Sequence, residues 1–480
     1  MALLHKKTKM IATIGPATWD EDKIIALYKA GINVLRFNFS HADYENAERV
    51  GKLVKRLNAE KITKLGLLLD TKGPEIRTGD YEGTKSYVKG DIFNIYVDAS
   101  KVSGDKDQFC DYPHLIEDIQ VGGLIKIESG LFDVVVKEKA ADHVVVEALH
   151  SITIKQRRHI NLPGVKLKLP GLIDQDKKDV LFAIEQWFDF IAMSFVRNKS
   201  NVMELRQMLK DNNAENIQII TKIENEEGME NYVEIIEAAD GQMVARGDLG
   251  IETPIENLPI YQRQIVKTCR AKGKFVIVAT HFLETMIENP FPTRAEVSDI
   301  FNAVVQKTDA VMLSGETTIG KYPIEAAQMM KTVVMNAESI MDYKHEEYDR
   351  PDLTQRDIEK KFLIRSAIEI AERNHIEHLV VFTKTGKLAK LAASYRPNVK
   401  VIAVTNNEKT FTNTALLFGI ISRYMPFSHH SDALEPAMQM LLDSGEVTME
   451  DRVVVVTDLR KDDREIPLLE IVTLKDLFNK

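Results

Sequence analysis

The chain has 480 residues, of which 44% are hydrophobic and 28% charged, with a net charge of −9. That length exceeds what one hydrophobic core organises and points to about three domains, while the acidic balance argues against nucleic-acid binding, which needs clustered Lys and Arg. Cys110 and Cys269 are too few for a disulfide framework or a cysteine-built metal site, no apolar run is long enough to span a membrane, and the first residues lack a secretory core, so a cytoplasmic protein is expected.

Short apolar runs ending in polar residues recur at 9–15, 34–40, 65–71, 189–195, 217–224, 241–248, 275–282 and 310–317. Most are too short for helices and are bounded by turn residues, so they read as buried strands. Segments with helical periodicity lie between them, among them 21–30, 177–187, 201–212 and 296–307. Eight strands, each followed by a helix or a helix-sized gap, predict a (β/α)₈ TIM barrel. More than a hundred residues separate the third and fourth strands, and the interval alternates polar and apolar residues as antiparallel strands do. It is expected to fold as a small β-barrel lid domain over the barrel mouth. After a polar linker at 343–355, runs at 378–383, 399–405, 419–425, 452–458 and 468–474 predict a C-terminal α/β domain with a mostly parallel sheet. The expected division is 1–71 plus 166–340 for the barrel, 72–165 for the lid and 341–480 for the C-terminal domain.

Residues two apart on a strand share a face, so polar residues at strand ends converge. The second strand ends Arg36-Phe37-Asn38-Phe39-Ser40 and the third Asp70-Thr71. The fifth gives Lys222-Ile223-Glu224, the sixth Arg246-Gly247-Asp248 and the seventh Thr280-His281. Taken alone, Lys222 with Glu224 and Arg36 read first as structural ion pairs and Asp248 reads as a helix cap or a site residue; five strand ends together at one barrel mouth point to a site, because buried unpaired charges are costly. Glu224 and Asp248 suit a hard divalent ion, and Arg36 with Lys222 suits a phosphoryl group. Asn38, Ser40, Asp70 and Thr71 bring oxygens with one formal charge among them, a field suited to a monovalent cation. Backbone N–H groups of the Gly247-to-Gly250 stretch suit a carboxylate. The run from Gly315 to Lys321 nearly matches a phosphate-binding P-loop, but Tyr322 stands where Ser or Thr would hold a metal, and a tight turn is the better reading. His429 and His430 read as a surface pair.

At these residues the sequence resembles the pyruvate kinase family, through TIGPAT (13–18), AGINVLRFNFSH (30–41), LDTKGPEIRTG (69–79), NLPG (161–164), SFVR (194–197), TKIEN (221–225), ARGDLGIE (245–252), PTRAEVSD (292–299) and MLSGET (312–317). The resemblance implies phosphoryl transfer from phosphoenolpyruvate to ADP, giving pyruvate and ATP in the last step of glycolysis. It implies Mg²⁺ (or Mn²⁺) on Glu224 and Asp248, and K⁺ on Asn38, Ser40, Asp70 and Thr71, with Glu75 matching the K⁺-dependent variant. Lys222 and Arg36 then act on the phosphoryl group, Gly247 and Asp248 receive the substrate carboxylate, and Thr280 lies where the enolate is protonated. Asn38, His41, Arg77 and Arg158 would contact the nucleotide, and a homotetramer would be usual.

Four departures stand out. The family usually has Thr-Gln-Met where this chain has Thr280-His281-Phe282, and Lys-Gly where it has Arg158-His159. Glu128-Ser129-Gly130 replaces an Asp-Gly turn in the lid. In the C-terminal domain Thr383, Thr385, Gly386 and Lys387 partly keep a phosphate loop for a phosphorylated effector, with an ordinary capped turn as the competing reading. The later glycine-rich effector loop is replaced by residues 460–466. A metal-dependent lyase or aldolase of pyruvate enolate, and a catalytically dead scaffold, are the alternatives. The first needs no nucleotide lid, and the second is at odds with an intact Arg36, Lys222, Glu224 and Asp248.

Overall fold

The computed structural model describes residues 6–41, 43–343, 353–427, 433–461 and 464–478, with the backbone alone described at 41, 458–461, 464 and 465. Most of the expected linker and both His429 and His430 lie outside the described residues. Eight parallel strands close into a barrel: Lys9–Thr13, Val34–Asn38, Gly66–Asp70, Phe190–Met193, Gln218–Ile223, Gly241–Ala245, Phe275–Ala279 and Ala310–Leu313. All eight expected runs are strands. The inward layer is apolar, with Ile11, Val34, Leu68, Ala192, Ile220, Met243, Ile277 and Met312 buried together. The outward layer packs under the helices, whose amphipathic faces complete a second shell.

Local chemistry sets the helix boundaries. Thr293 caps helix Arg294–Val305 by accepting from the Glu296 N–H, while the Glu296 carboxylate accepts from the Thr293 N–H at 2.7 Å. Thr354 caps Gln355–Arg373 in the same manner, accepting from the Asp357 N–H.

The insertion leaves the third barrel strand through Gly73, whose φ is +74° and which packs so close to Ser194 that a Cβ would lie 2.8 Å from that side chain. It folds as a curled seven-stranded sheet, with a separate two-stranded ladder of Thr84–Tyr87 and Ile152–Lys155. The sheet's two edges, Ile76–Arg77 and Gln108–Phe109, are joined only by a bridge between Thr78 and Cys110. It is therefore an open, curled sheet rather than the fully closed small barrel expected. The interval's longer alternating strands were legible, but short ones such as Ile76–Arg77 and His159–Asn161 carry too few residues to show a period.

The C-terminal sheet has five strands: His378–Phe382, Lys400–Thr405, Ile420–Tyr424 and Arg452–Lys461 run parallel, and Arg464–Thr473 is an antiparallel edge. This domain packs beneath the barrel, at the ends where the strands begin. Lys9 donates to the Ile420 carbonyl at 2.6 Å, and the Gly419 N–H donates to the Lys7 carbonyl. Asp309, just before the eighth strand, is buried against Arg396 at 2.6 Å and accepts from the Phe418 N–H at 3.1 Å. Among the described residues no helix is long and apolar enough to cross a membrane.

Truncating one partner of a buried ion pair leaves the other charge uncompensated, at a cost of about 3–5 kcal/mol. Arg396→Ala is accordingly expected to unfold at clearly lower urea concentration than the unmodified protein, measured by circular dichroism.

Candidate active site

The inward layer of the barrel predicts which groups reach its mouth. Two residues beyond Ile11, Val34, Leu68, Ala192 and Ile220 come Thr13, Arg36, Asp70, Ser194 and Lys222, followed by Glu224. These side chains form one buried network. Asp70 Oδ2 accepts from Arg36 Nε at 2.7 Å, and Oδ1 lies 3.1 Å from Lys222 Nζ. Arg36 also donates to Thr13 Oγ1 at 3.0 Å. Lys222 Nζ reaches Ser194 Oγ at 2.9 Å and Glu224 Oε1 at 3.0 Å. Ser194 in turn donates to the Thr71 carbonyl at 2.6 Å.

Electrostatics follow from that geometry. Burial pushes Asp70 toward its neutral form, but Lys222 and Arg36 outweigh it and hold the carboxyl below its ordinary value. Burial likewise opposes the charge on Lys222, yet Asp70 and Glu224 raise its pKa above that of a free lysine. Glu224 goes the other way. Burial raises its pKa to about 7 and Asp248 adds to this, against the opposing pull of Lys222. Its Oε2 accepts from the Phe195 N–H at 2.7 Å, whereas the buried Oε1 accepts no hydrogen bond of good geometry. The Asp248 carboxylate has no hydrogen bond or ion pair among the described residues.

Two cations, Arg36 and Lys222, therefore face three carboxylates, Asp70, Glu224 and Asp248, and the excess negative charge sits on Glu224 and Asp248. No group of three or more His, Cys, Asp or Glu among the described residues could enclose a metal. An unsatisfied Glu224 oxygen beside an unpartnered Asp248 instead fits a divalent ion held by two carboxylates, with the remaining positions open to water or substrate.

The other residues singled out fall into three groups. Asn38 lies opposite Asp70 in the strand register and its side chain accepts from the Ser40 N–H at 3.2 Å, so the four candidate K⁺ residues are neighbours. Ser40 reaches this position from a 3-10 turn, Phe39–His41, and not from the strand, which ends at Asn38. Arg77 and Arg158 meet on the lid, where Thr78 N–H donates to the Arg158 carbonyl. Glu75 holds Arg77 at 2.5 and 2.9 Å, and Glu128 holds Arg158 at 2.9 and 3.1 Å. The His41 side chain lies outside the described residues. In the C-terminal domain Gly386, at φ +79°, starts helix Lys387–Ser394; Thr383 is buried, Thr385 exposed, and Lys387 is paired with Asp357. The side chains of Arg460 to Glu465 lie outside the described residues.

Two further groups at the strand exits have partners of their own. Arg246 does not join the cations at the mouth: helix Arg246–Glu252 begins there and turns its guanidinium to Asp299, at 2.6 and 2.7 Å, and to the carbonyls of Ala279 and Thr280. The Gly247 N–H is not free, since it donates to Thr280 Oγ1 at 3.0 Å. The P-loop lookalike is a tight turn, as expected: Lys321 pairs with Glu288, and a Cβ at Gly320 would meet the Glu316 carbonyl at 2.3 Å.

Sequence reasoning missed Ser194, which ties Lys222 to Asp70 and Thr71 and carries the same strand-end signal as the residues it did select. It also missed two contacts that seat the lid. His159 meets the Phe195 ring edge-on, centroids 6.0 Å apart, and burial lowers its pKa. Asn161 Nδ2 donates to the buried Glu252 Oε1 at 2.6 Å.

With this site in view, the comparisons with known proteins are decisive. The family description "Pyruvate kinase, barrel domain" matches residues 5–327, and "Pyruvate kinase, alpha/beta domain" matches 361–467. The chain belongs to the pyruvate kinase family. It is 40% identical to a pyruvate kinase of Geobacillus stearothermophilus, over 99% of this chain and 82% of that one. It is 40% identical to a pyruvate kinase of Clostridium perfringens, over 89% and 91%. The crystal structure of a pyruvate kinase from Cryptosporidium parvum superposes with a TM-score of 0.91 at 34% identity, covering 98% of this chain and 96% of that one. Membership in the pyruvate kinase family makes the protein a phosphotransferase.

A hydrogen bond to a charged group contributes about 1.5–3 kcal/mol, so Ser194→Ala should lower kcat by roughly 10- to 100-fold, with an unchanged fold by circular dichroism. Glu252 supplies a pH test. Burial raises its folded pKa from 4.5 to about 7, so its favourable contribution is complete below the unfolded value and is lost as pH rises through about 7. Glu252→Gln should flatten the decline in thermal stability across that window relative to the unmodified protein.

Proposed function

We propose that the protein transfers the phosphoryl group of phosphoenolpyruvate to ADP, forming ATP and pyruvate as the last step of glycolysis in the cytoplasm. The observation that carries this reading is the Arg36–Asp70–Lys222 bridge, two cations fixed in a buried mouth beside two undercompensated carboxylates. Lys222 meets the phosphoryl group in flight and Arg36 grips it from the neighbouring side, so charge spread over its equatorial oxygens finds donors already in place. Asp70 and Ser194 keep the Lys222 ammonium where that charge develops.

Glu224 and Asp248 would hold Mg²⁺ or Mn²⁺, which when bound neutralises phosphoryl oxygens as a Lewis acid. Asn38, Ser40, Asp70 and the Thr71 carbonyl offer hard oxygens for K⁺, and Glu75 matches the K⁺-dependent variant of the family. Arg77 and Arg158, together with Asn38 and His41, would receive the nucleotide. Because Glu75 and Glu128 already hold the two guanidiniums, nucleotide phosphates exchange one anionic partner for another and meet preoriented donors. The substrate carboxylate would be received at the Gly247 and Asp248 backbone, the former once Thr280 releases its N–H. Over this mouth the lid excludes water that would compete with ADP. The loop of Thr383, Thr385, Gly386 and Lys387 can take an effector phosphate only by displacing Asp357 from Lys387.

A coupled assay for pyruvate, with ADP, Mg²⁺ and K⁺ varied singly, tests the reading. Turnover should require ADP and a divalent ion. Lys222→Ala should lower kcat by about 100- to 1000-fold, the usual effect of removing a transition-state charge donor, with KM for phosphoenolpyruvate nearly unchanged. A folded, Mg²⁺-loaded protein that forms no pyruvate from phosphoenolpyruvate and ADP would sink the proposal.

A further inference from the structure

The sixth and seventh barrel strands run side by side, with Ala245 opposite Ala279, and their exits meet over Gly247. Leaving the seventh strand, Thr280 and His281 both adopt left-handed backbone, at φ 69° and 54°. A β-branched residue in that region is strained, and such strain gathers at functional sites. The turn folds the Thr280 hydroxyl back on its own chain: it donates to the Ala279 carbonyl at 2.6 Å and accepts the Gly247 N–H at 3.0 Å. Its proton is committed to the backbone.

The next residue has no such commitment. His281 is exposed, and neither ring nitrogen has a hydrogen-bond partner among the described residues. Its ring lies over Gly247: a Cβ built there would find His281 Cε1 at 3.7 Å and Thr280 Oγ1 at 3.8 Å, the nearest atoms from outside its own helix turn. The imidazole edge and the hydroxyl therefore bound one open space, which exists because residue 247 has no side chain, one residue from Asp248. The other charged groups on the two segments are Arg246, paired with Asp299, and Glu284 beyond the turn.

We propose that His281 is a further catalytic residue, the general acid that delivers a proton to C3 of enolpyruvate after the phosphoryl group has left. The assignment rests on the function proposed above. In the step, an imidazolium N–H bond breaks and a C3–H bond forms, the C2–O⁻ of the enolate becomes the ketone of pyruvate, and the neutral imidazole regains its proton from water at its exposed edge. An imidazole nitrogen facing open space can carry and hand over a proton, whereas the Thr280 hydroxyl proton is already bonded to the Ala279 carbonyl. Thr280 becomes a positioning residue that fixes the Gly247 backbone and the turn.

The test is exchange of the pyruvate methyl protons with D₂O, followed by proton NMR on the full chain with Mg²⁺, K⁺ and ATP. His281→Gly keeps the left-handed backbone without strain, and His281→Gln keeps a polar side chain of similar length. Both variants should exchange about 100-fold more slowly, the usual contribution of a general acid or base, with KM for phosphoenolpyruvate and ADP unchanged. Added imidazole should restore exchange in His281→Gly. Undiminished exchange in both variants, or a loss that imidazole does not rescue, overturns the assignment while leaving the phosphotransfer reading intact. An unmodified protein that exchanges no methyl protons overturns both.

Discussion

One carboxylate bridging two cations governs the barrel mouth. Asp70 is fully buried, and its two oxygens are divided between Arg36 and Lys222. Removing any one of the three would leave charge stranded in low dielectric, so each fixes the other two. Fixed positive charge is what a migrating phosphoryl group requires, since donors that need not reorganise stabilise developing charge best. The same bridge explains the imbalance beside it. With Asp70 matched to Arg36 and Lys222, Glu224 has only a share of Lys222 and Asp248 has no partner among the described residues; burial first, and Asp248 after it, drive the Glu224 carboxyl up to about 7. A cation arriving from solution would relieve that strain.

Much of this was legible in the sequence, because strand periodicity is rigid: an apolar residue in the barrel interior fixes the direction of the residue two places on. Arg36, Asp70, Lys222 and Glu224 follow from that rule alone. It fails where the strand ends early. The backbone turns at Phe39, so alternation no longer says where Ser40 points, whereas Arg246, three places from inward Met243, falls on the opposite face. Ser194 satisfied the rule but lacked charge, and only coordinates reveal that it joins Lys222 to the Thr71 carbonyl. The lid was recognisable from its long alternating runs, whereas its short strands and near-closure depend on contacts between residues far apart in sequence.

The barrel separates the two attached domains. The lid inserts where a strand finishes, and its contacts are with residues of the mouth: His159 with Phe195, and Asn161 with Glu252. The C-terminal domain grips the opposite ends through Lys9, Asp309 and the Lys7 carbonyl. No lid residue is paired with that domain among the described contacts, so a ligand of the loop at Gly386 would reach the mouth through the barrel that lies between them.

Arg246 supports the mouth from outside it. Two consecutive left-handed residues at Thr280 and His281 are unfavourable for side chains of that size, and something must hold them. Arg246 does so from the neighbouring strand exit. Its guanidinium grips the Ala279 and Thr280 carbonyls, is itself held by both oxygens of Asp299, and lies 4.2 Å from the Phe282 ring. Its charge is structural, and its work is to stabilise a strained turn. That turn in turn sets the Thr280 hydroxyl against Gly247 and leaves the imidazole of His281 facing the space above it. A cation two residues from Asp248 thus bears on the mouth indirectly, through the backbone it restrains.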